Sequence, residues 1–233
     1  MTSTAPTSET SRPLRRILGG LLIAYLVLSF GGAAVTGGAP ELDAGRASYL
    51  KHFVDSSMIT KVTGSYVETI GAIIFVLAAL MAARLFRTGT EISGWLASVI
   101  AAMGVLTAAA TVTAEAVQMA AVYDGHHGAS LATLRALNES GDIAFFISIG
   151  IQGVFLICVG SAALTSRSLP SWLAGLTVAV GSVCLASPLG VGAGTQQLAF
   201  MLESALYVVI GIHLLRTRRT AASVPTSRSV VTA

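Results

Sequence analysis

Charge is what this sequence has least of. Asp, Glu, Lys and Arg make up 11% of its 233 residues, against roughly 25% in an ordinary soluble domain. That is too little to cover a core with a wetted surface, and 54% of the chain is hydrophobic. A soluble globular protein and a disordered chain are both excluded on this balance. Cysteine is scarce as well. Two thiols, Cys158 and Cys184, make no disulfide framework, and both lie in apolar runs where buried free thiols belong. No Walker loop, nucleophile elbow, dinucleotide fingerprint, haem motif or HExxH spacing occurs. Without a nucleophile–base pair or a metal set, the expectation is a non-enzymatic protein with no cofactor and no metal.

What is present is apolar length. Runs extend over about Leu14 to Val35, Val62 to Leu85, Gly94 to Val122, Ile143 to Thr165, Trp172 to Val191 and Gln197 to Leu215. A bilayer core of ~30 Å needs about 20 such residues per helix. The runs do not alternate and are about twice the length of a ~10-residue barrel strand. Mean hydropathy of +0.77 agrees. The expected fold is all-α: a polytopic membrane protein with a six-helix transmembrane bundle and short outer interfacial helices. The 24 glycines suit close helix packing, notably Gly150, Gly153 and Gly160 along the fourth span.

Basic residues orient the bundle. Arg12, Arg15, Arg16, Arg84, Arg87, Arg167, Arg216, Arg218, Arg219 and Arg228 all fall on one side of the six spans. The other side holds Arg46, Lys51, Lys61 and Arg135, diluted by Glu41, Asp43, Asp55, Asp124, Glu139 and Asp142. This positive-inside bias places both termini in the cytoplasm of a multi-pass protein of the plasma (inner) membrane, with Trp95 and Trp172 as interfacial anchors. It also accounts for the net charge of +3, so no nucleic-acid partner is expected. An alternative makes the first span a signal peptide, with Arg12 to Arg16 as its basic region; its apolar stretch exceeds the usual ~7–15 residues. The Ser/Thr-rich ends, residues 1–11 and 220–233, read as disordered cytoplasmic tails around a transmembrane domain over 12–219.

Two outer segments carry helical patterning. Leu42, Tyr49, Leu50, Phe53, Val54 and Met58 recur near helical spacing and suggest a helix lying on the outer leaflet. Ser130 is placed to cap a second short helix bearing Leu131, Leu134 and Leu137, which Gly141 would end.

Polar groups inside the spans are the candidate site, because they are costly there and often functional. Glu68 lies 16 residues before Arg84, Gln152 15 before Arg167 and Glu203 13 before Arg216. At ~1.5 Å per residue all three sit roughly 20–24 Å above the basic face. Glu115 and Gln118 share one face of the third span, and Glu203 and Tyr207 are one turn apart on the sixth. The expectation is one outward-facing polar cavity lined by Glu68, Glu115, Gln118, Gln152, Glu203 and Tyr207, open to a proton, cation or small polar solute. No basic residue is expected at that depth. The competing reading is that these groups bond one another and fix the packing. His52, His126, His127 and Asp124 would be the only metal candidates, and adjacent histidines do not share a helix face.

The stretch Leu134-Arg135-Ala136-Leu137-Asn138-Glu139-Ser140-Gly141-Asp142, and then Ser166-Arg167-Ser168-Leu169-Pro170-Ser171-Trp172-Leu173-Ala174-Gly175, resembles a bacterial family. These are small multi-helix membrane proteins, common in actinobacteria and catalogued as a domain of unknown function. In them a basic residue ends one helix, and Leu/Ile-Pro, an aromatic and Leu-Gly open the next; here Ala174 replaces the more usual glycine. The resemblance covers Leu14 to Arg219 and implies a helical bundle in the plasma membrane, with no catalytic residues to transfer. The function expected is an accessory, sensory or structural one, acting through the bilayer and a protein partner or second copy. The alternative is a small-solute or proton-coupled transporter.

Overall fold

A computed structural model describes residues 11–41, 44–87, 91–190 and 194–216. The tails expected over 1–11 and 220–233 lie outside them, save Ser11, which opens the first helix. Among the described residues every regular element is helical: α1 (Ser11–Thr36), α2 (Arg46–Phe53), α3 (Met58–Phe86), α4 (Glu91–His126), α5 (Leu131–Ser166), α6 (Ser171–Ala186), a 3₁₀ turn (Ser187–Gly190) and α7 (Thr195–Arg216). Six are long and apolar enough to cross a membrane, α6 by joining its 3₁₀ turn to make a 20-residue span. The protein is thus an all-α polytopic bundle.

The spans pack in chain order, and α1 closes on α7. The start of α1 and the end of α7 therefore share one end of the bundle, here called the terminal face; the opposite end is the distal face. Small residues set the approach. A Cβ at Gly153 of α5 would lie 2.6 Å from the Gly181 carbonyl oxygen of α6, and one at Gly160 would lie 2.8 Å from the Ala174 oxygen. Gly19 stands equally close to Gly211 across α1 and α7, at 2.8 Å. Gly32 of α1 meets the Gly64 carbonyl of α3 at 2.7 Å. At each of these places a side chain would drive two backbones apart. The core that results is built from Leu18, Leu22, Tyr25, Phe75, Phe155, Tyr207 and the alanine face of α3.

The 36-residue α4 and α5 are seven residues longer than the 29-residue α3, about 10 Å of extra helix. They form a hairpin turned at Gly128, whose φ of +84° suits glycine. Ser130 caps α5 as expected, its hydroxyl accepting from the Thr133 amide at 3.2 Å. The helix does not end at Gly141, however. Gly141 lacks the left-handed backbone of a helix stop, and a Cβ there would meet the Gln118 side chain at 2.8 Å. Its smallness serves the α4–α5 approach, so the second short helix of the sequence reading is the first part of α5.

The first short helix exists as α2, and it docks on protein. Tyr49 and Phe53 are fully buried, in a small second core with Ala121, Val122 and Leu134 of the α4–α5 hairpin. The Arg135 guanidinium lies 5.4 Å from the centre of the Tyr49 ring and donates to the Ala44 carbonyl at 3.2 Å. Helix α2 is a cap on the distal end of the bundle.

Candidate functional site

Five helices and the α1–α2 connection line a cavity of about 250 Å³ at the distal end, with α2 on its outer side. Glu68 of α3 reaches it because Gly32 leaves room on α1. Glu115 and Gln118 line it one turn apart on α4, Asp142 contributes from α5, and Lys61 and His52 stand on the side of α2. The Glu68 and Glu115 carboxyls meet inside it. Thr36 donates to Glu68 at 3.4 Å, and Ser65 donates to Glu115. Two facing carboxylates repel unless a proton or cation lies between them.

The rim is held by a buried amide. Asn138 accepts from Gln118 at 3.2 Å and donates to the Pro40 carbonyl at 3.1 Å and to Asp142 at 3.3 Å. It ties α4, α5 and the α1–α2 connection together with no polar atom of its own in solvent. Lys61 is only 7% exposed. Its ammonium donates to the Thr36 carbonyl that ends α1 and lies 3.0 and 3.1 Å from the two ring nitrogens of His52. Lys61 thus lines the same cavity as the acids, two turns nearer the distal end than Glu68. It enters from the first turn of α3, where the sequence places it in the outer loop.

Gln152, Glu203 and Tyr207 do not line this cavity. They form a separate polar cluster buried deeper in the bundle. With its nitrogen facing α7, the Gln152 amide donates to the Glu203 carboxylate, 2.9 Å from Oε2. The Cys184 thiol of α6 approaches the same oxygen at 3.9 Å. Tyr207 lies beside that carboxylate with its hydroxyl buried. Tyr25 of α1 completes the set. Its phenol faces Gln152 and Ser29, and both Glu203 and Glu68 are near enough to act on it electrostatically. Tyr25, Phe75, Phe155 and Tyr207 pack as a cluster of tilted and edge-on rings, centroids 5.0 to 6.0 Å apart. Sequence reasoning thus places six residues in one site where the structure separates three from three. It also misses Tyr25, the one polar aromatic within the first span, and Lys61, Asn138 and Asp142.

The histidines are not gathered. Nδ1 of His127 lies 2.7 Å from the Tyr123 carbonyl, and His52 faces Lys61. Among the described residues no group of three or more His, Cys, Asp or Glu side chains is arranged to hold a metal ion.

The fold and the cavity together define an integral membrane protein with a polar distal pocket. No protein-family model, curated protein or solved structure matches the chain.

Two predictions follow from this geometry. Glu203→Gln keeps an acceptor for the Gln152 amide, whereas Glu203→Leu leaves that buried amide unsatisfied, at a cost of about 1–3 kcal/mol. The leucine variant should melt clearly below wild type in detergent and the glutamine variant close to it; equal losses would show that the amide pairing is not what Glu203 contributes. His52 is held down from 6.5 to about 4, first by burial and then by the neighbouring Lys61 ammonium. Released from its dock, α2 takes up a proton on His52 before the docked form does. The contribution of His52 to docking is therefore complete above pH 6.5 and is lost as pH falls toward 4. Hydrogen exchange in α2, corrected for intrinsic rates, should quicken between pH 7.5 and 4.5 in wild type and less so in His52→Gln. Identical pH slopes would refute the assignment.

Proposed function

We propose that the chain is a non-enzymatic accessory or sensory protein of the bacterial inner membrane, whose distal pocket binds a small cation or a protonated polar solute from outside. The carrying observation is the meeting of Glu68 and Glu115 inside a cavity that also presents Asp142 and Gln118. Three carboxyls against one ammonium favour a cationic occupant. The groups available are binding groups: three carboxyls supplied by three helices, each accepting from its own hydroxyl or amide donor, and the Gln118 amide. Beneath the pocket the aromatic cluster closes the bundle. Between Leu18, Leu22, Phe86, Leu214 and the Tyr207 ring the core leaves a small void of about 30 Å³. A site open on one side above an apolar, closely packed core suits sensing or partner regulation better than passage.

One feature favours the alternative, a small-solute or proton-coupled carrier. Tyr25, Gln152 and Glu203 continue the polar groups inward from Glu68, as a proton path would. In both readings the pocket faces the outside and both termini are cytoplasmic, following the basic residues of the terminal face. The bundle belongs in this reading with the small bacterial membrane proteins that the Leu134–Asp142 and Ser166–Gly175 stretches resemble, and it works through a protein partner or a second copy.

Ligand binding to the folded form alone raises stability with concentration. Sodium, potassium and methylammonium chlorides, compared at equal ionic strength, should include one that raises the melting temperature of wild type and leaves the Glu68→Gln/Glu115→Gln double variant unmoved. The absence of any cation-specific shift would sink the binding reading. Uptake of that cation into proteoliposomes, abolished in the same double variant, would establish the carrier instead. For orientation, cysteines at Ala129 and at Ser168 are introduced into a chain lacking Cys158 and Cys184. In intact cells an impermeant thiol reagent should modify the first and spare the second; the reverse pattern would invert the topology.

A further inference from the structure

A further cavity, of about 340 Å³, lies far from the distal pocket, between α3 and α4 at the terminal face. The two helices are tight near mid-span, where Gly104 leaves room for the Ala79 side chain. Toward the terminal face they part. Helix α4 then presents Gly94, Ser98 and Ala101, spaced four and three residues apart so that small side chains line one face. Helix α3 presents Leu77 and Leu80, both largely exposed. One turn further on, Arg84 and Arg87 stand at the mouth, both exposed. The groove is thus apolar along its length and cationic at one end. From Leu77 to Arg84 it runs about 10 Å.

Its depth in the membrane is marked independently. Trp95, next to Gly94, is 64% exposed, and Trp172 on the same face is 63% exposed. Exposed indoles at span ends sit at the headgroup level, so the two guanidiniums of the groove lie where lipid phosphates lie. Guanidinium donors in a fixed fork match phosphate oxygens bidentately, and a basic pocket between spans is suited to an anionic headgroup.

We propose that the α3–α4 groove is a binding site for one anionic phospholipid. Arg84 and Arg87 hold its phosphate, and the upper part of an acyl chain lies along Leu77 and Leu80 in the space left by Ser98 and Ala101. The assignment is independent of what occupies the distal pocket. A zwitterionic lipid has the same chains but carries a compensating ammonium, so it is held less well.

The test uses the full chain in detergent, titrated with phosphatidylglycerol, with phosphatidylcholine and with glycerol phosphate, and read by native mass spectrometry and melting temperature. Wild type should retain phosphatidylglycerol in preference to phosphatidylcholine and gain stability from it. Glycerol phosphate, lacking chains, should do neither. Arg84→Gln/Arg87→Gln should weaken phosphatidylglycerol binding roughly 30-fold, about fivefold for each arginine near an anionic headgroup. Arg167→Gln, a basic residue of the same face outside the groove, should leave it unchanged. Ser98→Phe blocks the chain path without touching either arginine and should weaken binding too, which keeps the test decisive if the double variant does not fold. Equal retention of both lipids, an equal loss in Arg167→Gln, or full binding by Ser98→Phe would overturn the site. Stabilisation by glycerol phosphate alone would show a free-phosphate site and would overturn it as well.

Discussion

Helices immersed in lipid gain little by burying one another's apolar side chains, because acyl chains are equally apolar; what they gain comes from close approach and from polar contacts. This bundle depends on that constraint throughout. At Gly32–Gly64, Gly153–Gly181 and Gly19–Gly211 the helices touch backbone to backbone, and these contacts decide which side chains are brought together elsewhere. The alanine face of α3 plays the same part toward α1 and α4. Leucine and isoleucine are left largely to face lipid, which is why so many remain exposed.

The distal pocket follows from the same contacts. Glu68 can point between α1 and α3 only because Gly32 has no side chain. Glu115 then finds it across α3 and α4, and the longer α4–α5 hairpin rises above them to carry the dock for α2. Asn138 converts that dock into a rim, spending its polar capacity on Gln118, Asp142 and the Pro40 carbonyl. A buried amide so fully engaged specifies one arrangement of three elements, since any shift leaves a polar atom unsatisfied. The deeper cluster around Glu203 has a comparable logic, with Gln152 as its principal donor. The rings of Tyr25, Phe75, Phe155 and Tyr207 pack around this deeper cluster, and its groups do not line the distal pocket.

Much of this could be read from the residues alone. The six spans, the Ser130 cap and the helical patterning of Tyr49 and Phe53 were all legible, because length, hydropathy and distance along a helix are local quantities. The division of the candidate site was not. Depth along the membrane normal says that Glu68, Gln152 and Glu203 share a level, but it carries no information about angle around the bundle. Periodicity supplies that angle in soluble helices, where polar residues mark the wet side. Here the spans are apolar on every side, and lipid-facing and core-facing positions use the same residue types. The partner of Lys61 was hidden for a related reason: the fourth residue of α3, it counts as a loop charge in sequence, yet its long chain folds back to the end of α1.

The sequence by itself determined that this chain is an all-α membrane protein of six spans, because twenty apolar residues have no other stable place and each helix satisfies its own backbone. It also determined that a few carboxyls must lie within those spans. Only the tertiary structure decided that Glu68 meets Glu115 under α2 while Glu203 turns to Gln152 and Tyr207. That choice rests on which glycines let which helices approach, a relation between residues far apart in the chain that no local pattern encodes.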